Sequence, residues 1–264
     1  MKFENVLLAS DFDGTLADSD GKIPESVISA IKYFMSEGGR FTVCTGRIYQ
    51  GFHLYSAEYI NAPVLLGNGA MAYDYENEKI LFDDGIGEEG IGVLIDVISR
   101  FPDISVETYN FNKVCSINPC EDSMHHFTSQ GIKFARVESP EEAVRPWTKV
   151  MILAQGCSQS VQQLLEKHRE VNYLKTTGDY IEILKKGVDK GTGLLRLGEM
   201  LGCRPKDIYA AGDGYNDVDM LVAASAGFVP ENGSSEALGV ADYITRSNDE
   251  GCIAHAIEIL DSIY

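Results

Sequence analysis

Short apolar runs that stop at polar, glycine-containing turns recur along the chain, and they alternate with segments whose apolar positions lie three or four apart. Val6, Leu7 and Leu8 form a continuous apolar run that empties into Asp11, Asp13, Gly14 and Thr15, the pattern of a buried parallel strand with a polar carboxyl end. Pro24 to Gly38 places Val27, Ile28, Ile31 and Phe34 at helical spacing, with proline at the start and Gly38 and Gly39 at the end, which predicts an amphipathic helix. Arg40 to Cys44 is a short β-rich run, so residues 6–44 read as one strand, helix, strand unit and imply a parallel sheet. Pro63 to Leu66 predicts a further strand, and Ala70 to Tyr75 with Lys79 to Phe82 a hairpin around residues 76–78.

The texture changes near Asp83. Helical segments at Ile91 to Phe101, Asp122 to Gln130 and Ser160 to Lys167 are interleaved with strands at Ser105 to Tyr109, Lys149 to Ala154 and Tyr180 to Leu184. This is an inserted α+β module of about 100 residues, itself the size of a small domain. The strand and helix rhythm returns after Lys190, with a helix over Gly191 to Leu201, a strand over Ile208 to Ala211 and a helix over Asp217 to Ala224. The expected class is α/β, with a core interrupted by the module.

Composition narrows the partners. With 264 residues, 44% hydrophobic and 23% charged, the chain is an ordinary globular sequence with room for a sizeable core. A net charge of −18 and a pI near 4.6 argue against a nucleic-acid partner, which needs a basic stripe to displace counterions. No apolar run approaches the length of a bilayer span, so the expected location is cytoplasmic, with no membrane partner. Cys44, Cys115, Cys120, Cys157, Cys203 and Cys252 show neither a CxxC pair nor a zinc-like spacing and read as reduced thiols in or near the core.

Candidate chemistry collects at strand ends. Asp11 and Asp13 lie two apart, so an extended chain presents both on one side, and two carboxylates there suit a hard cation and a covalent step; an acidic turn is the plainer alternative. Thr45, Gly46 and Arg47 follow the strand RFTVC and offer a hydroxyl, an open backbone N–H and a guanidinium to a phosphate, although Thr with Gly also reads as a helix N-cap. Lys190 stands at a helix start, where a solvated lysine is the ordinary case. Gly212 to Asp217, GDGYND, follows the strand IYAA, and a calcium loop would instead need a helix, loop, helix frame.

Taken in order, DxDGT at 11–15, TGR at 45–47, the lysine at 190 and GDGxND at 212–217 resemble the haloacid dehalogenase-like superfamily of aspartate-nucleophile phosphohydrolases. GNGA at 67–70, GVDKG at 187–191 and ADYIT at 241–245 resemble its Cof-type branch. The resemblance implies a Rossmann-like parallel-sheet core with helices on both faces over 1–82 and 184–264, and an inserted α+β cap over 83–183 that reads the substrate. It implies a magnesium-dependent phosphomonoesterase acting on a small phosphorylated metabolite, sugar phosphates foremost. Asp11 would be the nucleophile and form an aspartyl-phosphate, and Asp13 the acid and base. Magnesium would be held by Asp11, the backbone carbonyl of Asp13 and Asp213, with Asp217 orienting a water on it. Thr45, Gly46, Lys190 and Asn216 would hold the phosphoryl oxygens, and Arg47 would contact the leaving group or form a structural ion pair. The chain departs from the branch at Asn232 and Gly233, where Asn-Ala is usual. A phosphotransferase or mutase on the same core, a non-catalytic phospho-ligand-binding relative, and a receiver-like signalling module are the competing readings. The last has no acceptor ending its first strand and needs no inserted cap.

Other chemistry-bearing residues read as structural. His125 and His126 share no ligand-like spacing with a carboxylate or cysteine, and Tyr109, Phe111 and Trp147 read as core of the inserted module.

Overall fold

The computed structural model describes residues 1–53, 55–175 and 178–264. The chain divides into two compact units, one of residues 1–46, 54–81 and 189–264, the other of residues 47–53 and 82–188.

Leu7, Leu8, Ala9 and Ser10 are all closed to solvent, as a strand covered on both faces must be. This strand, β1 (Leu7–Ser10), is followed in the first unit by α1 (Glu25–Ser36), β2 (Arg40–Val43), β3 (Val64–Leu66), β4 (Met71–Asp74) and β5 (Lys79–Asp83), whose last two residues fall in the second unit. The second unit carries α2 (Glu89–Arg100), β6 (Ser105–Asn110), β7 (Lys113–Ile117), α3 (Glu121–Ser129), β8 (Ala135–Arg136), β9 (Lys149–Leu153), α4 (Ser158–Leu165), β10 (Val171–Lys175) and β11 (Tyr180–Lys185). The first unit resumes with α5 (Lys190–Met200), β12 (Ile208–Ala211), α6 (Val218–Ala223), β13 (Ala226–Pro230), α7 (Ser235–Leu238), β14 (Tyr243–Thr245) and α8 (Cys252–Ile263).

In the first unit a five-stranded parallel sheet runs β14-β13-β12-β1-β2. Ser10 is in register with Val43 on one side and with Ala211 on the other, so the chain leaves all three strands at one edge. The chain moves to β2 after β1 and returns on the opposite side of β1 as β12, which creates a topological switch point between β1 and β12 where α/β folds bind ligands. A parallel bridge from Cys44 to Leu65 brings β3 beside β2, and β3, β4 and β5 form a small meander containing the expected hairpin. Helix α1 packs with α8 and α5 with α6, and these pairs cover the sheet.

The second unit is a mainly antiparallel six-stranded sheet, β10-β11-β9-β6-β7-β8. Val106, Val150, Ile152, Ile181 and Ile183 join Val93, Leu94 and Val97 of α2 and Val161 and Leu164 of α4 in one core, with Trp147 fully buried among them. Three residues on from Val106 along β6, and so on the opposite face, Tyr109 packs with Met151, Phe127, Ile132 and Ile48. Phe111 packs against Tyr49 with ring centroids 4.4 Å apart and planes tilted by 33°. His126 lies 3.1 Å from Glu107 Oε2 through Nδ1, and His125 is exposed on α3. All six cysteines are free thiols. Among the described residues no helix is long and apolar enough to cross a membrane.

Candidate active site

The carboxyl edge of the parallel sheet gathers residues from well-separated stretches of chain. The Asp11 N–H donates to the Ala211 carbonyl at 2.8 Å, which carries the β1 to β12 pairing one residue further and plants Asp11 at the switch point. The chain then turns through Gly14, whose φ of +82° suits glycine and whose missing side chain leaves room for Asp213; a Cβ there would lie 2.6 Å from Asp213 Oδ2. Thr15 Oγ1 donates to Asp213 Oδ1 at 2.8 Å, so the turn after β1 and the loop after β12 hold one another.

Lys190, the first residue of α5, is completely buried. Its Nζ donates to Asp11 Oδ1 at 2.6 Å and to Asp217 Oδ1 at 2.5 Å. The other oxygen of Asp217 accepts the backbone N–H groups of Asp213 at 3.0 Å and Gly214 at 2.8 Å, so this carboxylate holds both the lysine and the loop that carries Asp213. The helix start itself is closed by Asp189, whose side chain accepts the Thr192 N–H at 2.7 Å while Thr192 Oγ1 accepts the Asp189 N–H at 3.0 Å.

Asp11, Asp213 and Asp217 each offer an oxygen within 4.8 Å of the others, and the Asp13 side chain is exposed and outside this group. Three carboxylates face one ammonium, an excess of two negative charges that matches a divalent cation, and an all-oxygen donor set fits a hard one. The electrostatics express the same imbalance. Burial, reinforced by Asp217 and only partly offset by Lys190, pushes the Asp11 carboxyl up to about 8. Burial also raises Asp213, against the pull of its Thr15 hydrogen bond. For Lys190, burial alone would depress the ammonium, but Asp11 and Asp217 outweigh it and hold the group well above its ordinary value. Burial pushes the neighbouring Cys44 thiol up to about 12, so sulfur is not an anionic nucleophile here.

Thr45 is buried where β2 ends, with its N–H on the Leu65 carbonyl at 2.9 Å and its carbonyl accepting the Asn68 N–H at 3.0 Å. Gly46 packs against the Asn68 amide, whose Oδ1 accepts Asn216 Nδ2 at 3.0 Å. Asn68, buried with φ of +54°, thus ties the second and fourth motifs together. Its position between Gly67 and Gly69 after an apolar strand is the signal that marks it. Arg47 belongs to the second unit, where Nη1 donates to the Gly51 carbonyl at 3.3 Å.

The loop after β13 meets the same edge. Ser234 N–H donates to the Asp213 carbonyl at 2.8 Å, and Asn232 Nδ2 donates to the Gly14 carbonyl at 2.9 Å. Gly233 is explained by space, since a Cβ would lie 2.6 Å from Val229 Cγ1 and 3.0 Å from the Pro230 carbonyl.

The sequence profile of the haloacid dehalogenase-like hydrolases matches residues 8–257. The chain belongs to this family. This haloacid dehalogenase-like hydrolase is 26% identical over 272 residues to the 5-amino-6-(5-phospho-D-ribitylamino)uracil phosphatase YitU of Bacillus subtilis, covering 98% of each chain. It is 26% identical over 276 residues to the pyridoxal phosphate phosphatase YbhA of Escherichia coli, covering 95% of this chain and 97% of that one. Its fold is similar to that of the HAD subclass IIB sugar phosphatase BT4131, with a TM-score of 0.85 at 19% identity over 97% of this chain and 99% of the other. The hydrolase is a phosphatase by class, with the α/β core and separate antiparallel sheet of its structural neighbours.

Proposed function

We propose that the protein is a magnesium-dependent phosphomonoesterase that removes phosphate from a small phosphorylated metabolite through an aspartyl-phosphate on Asp11. The observation that carries this reading is the buried Lys190 ammonium shared by Asp11 and Asp217 beside Asp213. A lysine so placed keeps the nucleophile in position and counters the charge that the carboxylates present to an incoming dianion.

Asp11 Oδ attacks phosphorus as the bond to the leaving oxygen breaks, and Asp13 delivers its proton to that oxygen. Asp13, now a carboxylate, takes a proton from the water that attacks phosphorus, the Asp11–phosphorus bond breaks, and free phosphate leaves. The exposure of Asp13 suits a group that must exchange protons with substrate and water in turn. Asp11, the Asp13 backbone carbonyl and Asp213 would hold magnesium, which supplies positive charge to the phosphoryl oxygens when bound. Thr45, Gly46, Asn216 and Lys190 hold those oxygens, Asp217 holds Lys190 and the Asp213 loop, and Arg47 meets the leaving group. We assign the core to 1–82 and 184–264, apart from residues 47–53, which belong to the second unit, and the reading of the leaving group to 83–183.

Relatives named for a phosphoribityl uracil and for pyridoxal phosphate, and a structural neighbour named for sugar phosphates, all handle small phosphate esters; sugar phosphates are the first class to try. The free thiols and acidic surface suit a cytoplasmic enzyme with no nucleic-acid partner. The test is phosphate release from a panel of sugar phosphates, nucleotides, pyridoxal phosphate and flavin mononucleotide, followed by acid quench and peptide mass analysis. A phosphoryl group on the peptide containing Asp11 is expected; turnover with the group on another residue, or on none, overturns the covalent step.

A further inference from the structure

Asn232 and Asn248 form a hydrogen-bonded relay along the turn that carries Asp13. Asn232 Nδ2 donates to the Gly14 carbonyl at 2.9 Å, and its Oδ1 accepts the Asn248 N–H at 2.9 Å. Asn248 Nδ2 in turn donates to the Ala17 carbonyl at 2.9 Å. The amide orientations follow from their partners, because the Gly14 and Ala17 carbonyls can only accept and the Asn248 N–H can only donate. Asn248 is buried, whereas Asn232 is exposed and still has both ends of its amide engaged.

We infer that Asn232 and Asn248 are positioning residues that fix the backbone from Gly14 to Ala17, directly after Asp13, and thereby aim Asp13 for its two proton transfers. The inference rests on the role proposed above for Asp13. The turn needs such a clasp. Asp11 is anchored from in front by the Ala211 carbonyl and Lys190, and Thr15 by Asp213, but the Gly14 carbonyl directly after Asp13 is met by the Asn232 amide. Glycine at φ of +82° gives that carbonyl little conformational restraint of its own. The Asn232 loop also reaches the Asp213 carbonyl through Ser234, so one short segment sets the spacing between the two carboxylate-bearing loops.

Asn232→Asp and Asn248→Asp keep shape and replace a donor by an acceptor facing a carbonyl. In each, kcat on an alkyl phosphate is expected to fall about 10- to 100-fold with KM unchanged, the size of loss that follows small misplacement of a catalytic group. With p-nitrophenyl phosphate, whose leaving group needs no proton, each variant should release a burst of nitrophenolate equal to the enzyme present before a slow steady rate, because hydrolysis of the intermediate still needs Asp13 as base. A parent kcat in both variants overturns the inference. So does a loss of rate without a burst that only tracks the unfolded fraction measured by circular dichroism. Asp13→Asn is assayed in parallel: if it turns over like the parent, the acid and base reading itself fails, and if it is slow while both asparagine variants are not, only the clasp fails.

Discussion

Thr15 donates its hydroxyl to Asp213 Oδ1 at 2.8 Å, fastening side chain to side chain two residues that stand 198 positions apart in the chain. The fastening depends on the glycine between Asp13 and Thr15. Gly14→Ala places a Cβ against Asp213 Oδ2 in a backbone region that disfavours side chains. Urea unfolding should show a loss of about 1–3 kcal/mol, with weakened magnesium binding by titration calorimetry. An unchanged midpoint would mean that the loop carrying Asp213 moves aside freely.

Asp11→Asn removes the proposed nucleophile while keeping its shape, so phosphate release should fall to background. It also removes one of two carboxylates competing for Lys190, and the metal-free variant at pH 8 should melt no lower than the parent. Parent-like turnover would end the covalent reading.

The raised Asp11 carboxyl sets the sign of a pH dependence. Its pKa moves from 3.8 to about 8 on folding, so between these values the folded chain binds more protons than the unfolded one, and stability at this site falls as pH rises through that window. Chemical denaturation of chelated protein at a series of pH values should show this decline, and Asp11→Asn should flatten it. On the proposed reading magnesium would compete with the proton for the same carboxylate, so adding it should reduce the decline and release protons at neutral pH, measurable by calorimetry in buffers of different ionisation enthalpy. Stability that rises between about pH 4 and about pH 8 in chelator would contradict the burial of an uncompensated carboxylate.

Lys190→Met leaves Asp11 and Asp217 facing one another without their shared cation. Breaking a buried pair in this way costs about 3–5 kcal/mol, so the chelated variant should unfold at markedly lower urea and lose turnover. If stability held and only activity fell, the lysine would serve substrate rather than the fold.

Much of the core could be read from the sequence, because strands buried on both faces appear as apolar runs and the residues that end them stand out. Asp11 and Asp213 sit just past such strand ends, and Lys190 at a helix start. Strand β13, AGFVP, is masked in the sequence because glycine and proline, here Gly227 and Pro230, are disfavoured in strands; its proline is the last residue of the strand. Strand β7, KVCSI, is too short for periodicity to separate from a loop. The roles of Asn68, Asn232 and Asn248 are out of reach for a different reason, although the flanking glycines single out Asn68 itself. Asparagine between polar neighbours is ordinary turn chemistry, and their partners Asn216, Gly14 and Ala17 lie 148, 218 and 231 positions away.

The second unit is built from two stretches, residues 47–53 and 82–188, and the short one supplies Ile48 to the cluster around Tyr109, Tyr49 to Phe111 and Gln50 to the Asn112 carbonyl at 2.7 Å. Recombination that exchanged residues 82–188 alone would therefore hand a foreign sheet the wrong aromatic and amide partners. A transplant that respects the structure takes both stretches together, and Arg47 travels with the second unit although it is the immediate neighbour of Gly46.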